Sequence, residues 1–128
     1  MFSFASSLQH LELSNFDTSS VENMEFMFSN CESLSSLDLY SFQTQNVSNM
    51  RNMFESCIKL TSIHFDENNF ETINVNNMEY MFSNCKELKS LDLSYFQTNN
   101  VENMRNMFES CEKLDTLIIK ISNFLTYK

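Results

Sequence analysis

Two stretches decide the architecture: LDLYSFQTQNVSNMRNMFESC at Leu37–Cys57 and LDLSYFQTNNVENMRNMFESC at Leu91–Cys111. Working outward, the same frame surrounds all four cysteines, Cys31, Cys57, Cys85 and Cys111, which lie 26, 28 and 26 residues apart. Each frame opens on a valine (Val21, Val47, Val75, Val101), followed by Asn-Met at 23–24, 49–50, 77–78 and 103–104. A Met-Phe pair comes three residues later, then the cysteine, then leucine or a near relative at 34, 37 and 39 and at the matching positions. Phe16 and Thr18, Phe42 and Thr44, Phe70 and Thr72, and Phe96 and Thr98 close the units. The pattern reads V-x-N-M-x-x-M-F-x-x-C-x-x-L-x-x-L-x-L-x(2 or 4)-F-x-T, and every methionine except Met1 falls on one of its two Met positions. Self-similarity at such a period is the signature of a repeat architecture.

The apolar period changes inside each unit. Val21, Met24, Met27/Phe28 and Cys31 recur at three- and four-residue steps, which predicts one stripe of a short amphipathic helix. Ser20, Asn46, Asn74 and Asn100 stand where a helix N-cap belongs. Asn30, Ser56, Asn84 and Ser110 are placed for a left-handed exit. Leu37-Asp38-Leu39 and its counterparts alternate with period two, as a short half-buried strand does. The expected fold class is therefore α/β: a leucine-rich-repeat-like solenoid of about four coils, each a short helix plus a short parallel strand. Residues 1–128 are expected to form one such domain, part of a longer array, with neighbouring coils supplying one another's core.

The duplication is layered, since residues 21–74 resemble 75–128 more than adjacent units resemble each other. The longer spacing comes from two residues inserted within His64–Asn69, and the Leu117–Phe124 gap is lengthened alike. After the first methionine the residues run Glu25, Arg51, Glu79, Arg105. Stacked in register, these would form a ladder of alternating charge, each exposed pair contributing ~0.2–1 kcal/mol.

The two quoted segments resemble the BspA-like leucine-rich repeat family, whose units read L-D-L-S-x-F-D-T-S-x-V-x-N-M-x-x-M-F-x-x-C. The resemblance covers residues 8–128, apart from Asn or Ser before each cysteine where the family commonly has Gly. It implies a leucine-rich-type solenoid, often displayed on microbial cell surfaces and associated with adhesion, without enzymatic activity.

Composition narrows the function. The chain has 128 residues, is 42% hydrophobic and 20% charged, and contains no Gly and no Pro, so Asn and Ser must take the turn positions. Without glycine, phosphate-cradling loops are ruled out. The net charge of -9 and the lack of any Lys or Arg in residues 1–50 argue against nucleic acid and anionic lipid as partners. No run approaches the ~20 apolar residues that span a bilayer, and the opening Met1–Ala5 lacks the features of a signal peptide.

No cofactor and no metal site is expected. Four cysteines in a column cannot all lie ~2.3 Å from one zinc, so buried free thiols are the reading for that ladder. Disulfides between neighbouring coils remain open if the Cα atoms approach within ~7 Å. The methionines and phenylalanines read as core. His10 is a lone surface histidine; Asp66, Glu67 and Glu71 read as a solvated acidic bulge, matching no calcium-loop spacing. Asn46-Val47-Ser48 is a formal glycosylation sequon.

The expected binding surface is the exposed strand row, Glu12, Asp38, His64, Asp92 and Ile118, flanked by Tyr40 and Tyr95, and a merely solvated row explains the same residues equally well. The expected function is a non-enzymatic protein–protein interaction or adhesion module whose protein partner binds that sheet face. The alternative is a structural segment that self-associates end to end through the apolar edge at Leu117, Ile118 and Ile119. The stretch 117–128, LIIKISNFLTYK, repeats the strand-and-phenylalanine half of a unit.

Overall fold

The structure is a computed structural model in which residues 1–124 are described; Leu125–Lys128, the last part of that half-unit, lie outside them. Alternation of Leu with polar residues yields four short strands: β1 (Ser36–Leu39), β2 (Ser62–Phe65), β3 (Ser90–Leu93) and β4 (Thr116–Ile119). In β1 and β3 the leucines turn inward and Asp38 and Asp92 outward. β1 pairs with β2 in parallel, with Leu37 opposite Ile63, Asp38 opposite His64 and Leu39 opposite Phe65. β3 pairs with β4 likewise, Asp92 lying opposite Ile118. These are two separate two-stranded sheets. The inserted residues follow β2 directly, folded around the Asp66 carboxylate, which accepts hydrogen bonds from the Asn68 N–H (3.0 Å) and the side-chain amides of Asn68 and Asn69.

The helices expected from the V-x-N-M-x-x-M-F-x-x-C stretches do not form. Among the described residues the single helical piece is a three-residue 3₁₀ turn at Ile121–Asn123. Each stretch is instead a ribbon of tight turns: the N–H groups of Met27, Ser29 and Cys31 donate to the carbonyls three residues earlier, at Met24, Phe26 and Phe28. Phe26 (φ 56°) and Asn30 (φ 61°) are left-handed, as are Asn52 and Ser56, Tyr80 and Asn84, and Asn106 and Ser110. A right-handed helix cannot pass through such residues, whereas turns with a positive φ at their third position require them. Asn30, Ser56, Asn84 and Ser110 thus adopt the expected left-handed geometry, but as turn corners.

The reason lies in where the backbone N–H groups go. Between turn bonds, alternate N–H groups point to the next repeat: Met24, Phe26, Phe28 and Asn30 donate to the carbonyls of Asn49, Arg51, Met53 and Glu55 at 2.8–3.0 Å. The same series runs from 50–56 to 77–83 and from 78–84 to 103–109. An α-helix would consume those donors within one repeat. Asparagine starts each ribbon: the Oδ1 atoms of Asn23, Asn49, Asn77 and Asn103 accept the N–H two residues on at 2.8–3.0 Å, a local bond that competes with helix. The same four residues bridge one another in parallel. Asn46, Asn74 and Asn100, expected as helix caps, donate their side-chain amides to the carbonyls of Ser19, Gln45 and Ile73 in the preceding repeat.

Like residues therefore meet like. The rings of Phe2, Phe28, Phe54, Phe82 and Phe108 stack in sequence, with centroids 5.3–5.7 Å apart and interplanar angles of 2–11°. Met24, Met50 and Met78 are buried and Met104 partly so. Thr18, Thr44, Thr72 and Thr98 are buried, their hydroxyls donating to carbonyls 25–27 residues later. The four cysteines are free thiols that donate to the carbonyls of Phe2, Phe28, Phe54 and Phe82 at 3.0–3.2 Å. Residues 1–5 join as a partial copy: Phe2 and Phe4 donate their N–H groups to Met27 and Ser29, and Phe4 is left-handed like Asn30. On the outer side Arg51 bridges Glu25 (3.1 Å) and Glu79 (3.0 Å). Arg105, expected to extend that ladder, makes no ion pair among the described residues.

Candidate acidic and aromatic surface

The parallel register brings most of the expected row together. Asp38 and His64 are adjacent on β1 and β2, and the rings of Tyr40 and His64 stack with centroids 6.4 Å apart. Glu12, Asp38 and Tyr40 line one depression of about 330 Å³, together with Leu11, Leu13, Ser14 and Ser41. On the other sheet Asp92 lies opposite Ile118. Tyr40 and Ile118 are among the most exposed large side chains, at 57% and 49%. Tyr95 is less available than expected: it is half-buried, edge-on to Phe65 and Phe96. Burial, followed by the nearby charges of Asp92, Tyr40, Glu67 and Asp66, pushes its phenol upward. The surface is thus acidic and aromatic, with its two sheets separate where a single row was expected.

The row's carboxylates also have a local structural task. Asp38 and Asp92 accept the backbone N–H two residues on, from Tyr40 (3.0 Å) and Ser94 (2.9 Å), and Glu12 accepts from Ser14 (3.0 Å). That backbone N–H holds the Glu12 carboxyl below its ordinary range. The signal for this was present as Asp-x-Tyr and Asp-x-Ser at the strand exits, the spacing of an Asx turn. Among the described residues no group of three or more His, Cys, Asp or Glu side chains could hold a metal ion. No helix there is long and apolar enough to cross a membrane. A second depression, of about 390 Å³, is apolar, lined by Met104, Arg105, Met107, Phe108 and Phe124. Sequence reasoning missed it because the same frame positions are filled in the earlier repeats.

Comparison with known sequences finds one family, described as Mycoplasma protein of unknown function, DUF285, which matches at residues 1–66 and again at 61–126. The chain belongs to the DUF285 family. Each DUF285 match takes in two Val-x-Asn-Met frames, in step with the two-unit duplication. No curated protein and no solved structure matches the chain.

Proposed function

We propose that this DUF285 chain is a non-enzymatic protein-binding module, a short solenoid related to the BspA-like repeats, with about four coils whose helical half is replaced by the turn ribbon. The partner docks on the exposed sheet face through Glu12, Asp38, Tyr40 and His64, and Asp92, Tyr95 and Ile118 extend the contact. The observation that carries this reading is the gathering of Glu12, Asp38 and Tyr40 around one depression, with the Tyr40 ring exposed and stacked on His64. Exposed aromatic side chains offer large contact area at low entropic cost. Display at a cell surface, with a role in adhesion, is the setting we infer from the same kinship.

The test must separate charge from folding, because Asp38 and Asp92 hold turns. Asp38→Asn with Asp92→Asn retains the Oδ1 acceptors and removes two charges; adding Tyr40→Ser removes the exposed ring. Affinity capture with the wild type, this triple variant and an outer-face control (Arg51→Met) is the measurement. The expected result is loss of captured proteins with the triple variant alone. Identical capture by all three, or loss confined to the Arg51 variant, overturns the reading.

A further inference from the structure

The chain already seats one arginine, and the parts of that seat can be read from Arg51. Its guanidinium carbon lies 5.7 Å from the centre of the Phe26 ring. Its Nη1 donates to Glu25 at 3.1 Å and its Nε to Glu79 at 3.0 Å, carboxylates at the same frame position in the units before and after. An aromatic face flanked by carboxylates of neighbouring units is what holds it. A planar guanidinium answers both at once, by stacking on the ring and by forked hydrogen bonds to the acids.

The sheet face holds the same parts with no cation among them. Glu12 and Asp38 share one frame position in consecutive units, and with Tyr40 they line the depression of about 330 Å³ between residues 11–14 and 38–41. The Tyr40 ring is 57% exposed, with His64 stacked on one side of it. The Ser14 and Tyr40 N–H groups engage Oε1 of Glu12 and Oδ1 of Asp38. A carboxylate has about four acceptor sites, so both can accept more. Cations are paired elsewhere: among the described residues the ion pairs are those of Arg51, of Lys86 with Glu112 and of Lys113 with Glu87. None of them involves Glu12, Asp38, Asp66, Glu67 or Asp92. After burial, the charges of Asp92, Tyr40, Glu67 and Asp66 push the Tyr95 phenol upward, so negative potential gathers on this side of the molecule.

We propose that this depression takes an arginine side chain from a basic segment of the partner, its guanidinium laid on the Tyr40 ring and bonded to Glu12 and Asp38. Lysine fits less well, because its ammonium is a compact, strongly hydrated charge without the planar fork that bridges two carboxylates. A neutral or acidic segment has nothing with which to offset those carboxylates. This chemistry rests on the sheet-face reading of function and names what docks there.

Nuclear magnetic resonance titration of the nitrogen-labelled chain tests it, with acetyl-Gly-Arg-Gly-Arg-Gly-amide as the probe and its lysine and citrulline counterparts beside it, in about 0.15 M salt. Amide shifts are expected to concentrate at residues 11–14, 38–41 and 64. The arginine peptide should bind about threefold tighter than the lysine one, and the citrulline peptide, which keeps the shape and loses the charge, should not saturate. Glu12→Gln with Asp38→Asn keeps both turn acceptors and is expected to weaken the arginine peptide about fivefold. Glu22→Gln with Glu32→Gln, two exposed acids away from the depression, leaves it unchanged. Tyr40→Leu brings arginine down to the lysine value. Shifts scattered over the surface, equal binding of the arginine and lysine peptides, or equal weakening by the two double variants overturns the proposal. The capture experiment separates the two ways of failing. Peptides that bind nowhere on this face, while capture still depends on the triple variant, remove the arginine contact alone. Capture indifferent to the triple variant removes the sheet-face reading, and the arginine contact with it.

Discussion

At the scale of the residue, the cysteines show how a repeated position becomes a linked pH response. All four thiols are pushed upward, with burial the first cause in each case, and Cys85 lies well above its ordinary value. A group whose folded value is raised contributes stability that is complete below its unfolded value, near pH 9, and is lost above it. The unfolded chain releases those protons while the folded chain retains them. Thermal midpoints are therefore expected to hold steady up to about pH 9 and to fall progressively above it, with Tyr95 adding to the fall beyond about pH 10. Replacing Cys57 and Cys85 by Ala lowers stability overall through lost packing but flattens the alkaline limb. An equally steep limb in that double variant would locate the alkaline transition elsewhere. Thiol labelling gives a second reading: Cys111, the one cysteine not fully buried, reacts first, and Cys57 and Cys85 react only as the chain unfolds.

At the scale of the element, the turn ribbon explains what could and could not be read beforehand. The strands were legible because Leu37-Asp38-Leu39 alternates with period two and nothing else fits that pattern. The ribbon was not, because one buried edge spaced at three and four residues suits a helix and a chain of three-residue turns equally. The deciding clue was Asn at 23, 52 and 106 with Asn or Ser at 30, 56, 84 and 110, all suited to turns or left-handed geometry. Phe26 and Tyr80 conceal it, since bulky residues are uncommon there. A left-handed residue other than Gly costs about 1–2 kcal/mol, against about 0.5–1 kcal/mol of extra chain entropy for Gly. Ser110→Gly, at φ 57° and with no hydrogen bond of its side chain among the described residues, is thus expected to stabilise by about 0.5 kcal/mol, read from urea midpoints. The same substitution at Ser56 gains less, because the Ser56 hydroxyl accepts the Asn84 amide at 3.1 Å. A helix at this site would reverse the sign. The outer ion pairs belong to this scale too. The Arg51 side chain is 37% exposed, so Arg51→Met should cost only about 0.5 kcal/mol at low salt, and less as salt rises.

At the scale of the whole molecule, stability is shared between neighbours, so position along the series should set the cost of a given change. The repeats and their buried ladders were legible from the frame, whereas the split of the expected strand row into two sheets was not. The two residues inserted after β2 read as a longer loop, and nothing in their composition signals that the strand ladder stops there. Phe54 and Phe108 occupy the same frame position with unequal surroundings. Phe54 is fully buried, with the rings of Phe28, Phe65 and Phe82 all within 6.2 Å. Among the described residues Phe108 touches one ring, Phe82 at 5.7 Å, and borders the open depression. A buried Phe→Ala change costs about 3–5 kcal/mol, which is the expectation for Phe54 and enough to unfold a chain of ordinary marginal stability. Phe108→Ala leaves no enclosed cavity and should cost about half as much. Denaturant unfolding of the two variants, read as shifts in the urea midpoint, gives both values. Equal costs would mean that Phe108 is as fully enclosed as Phe54 and that its border is not open to solvent.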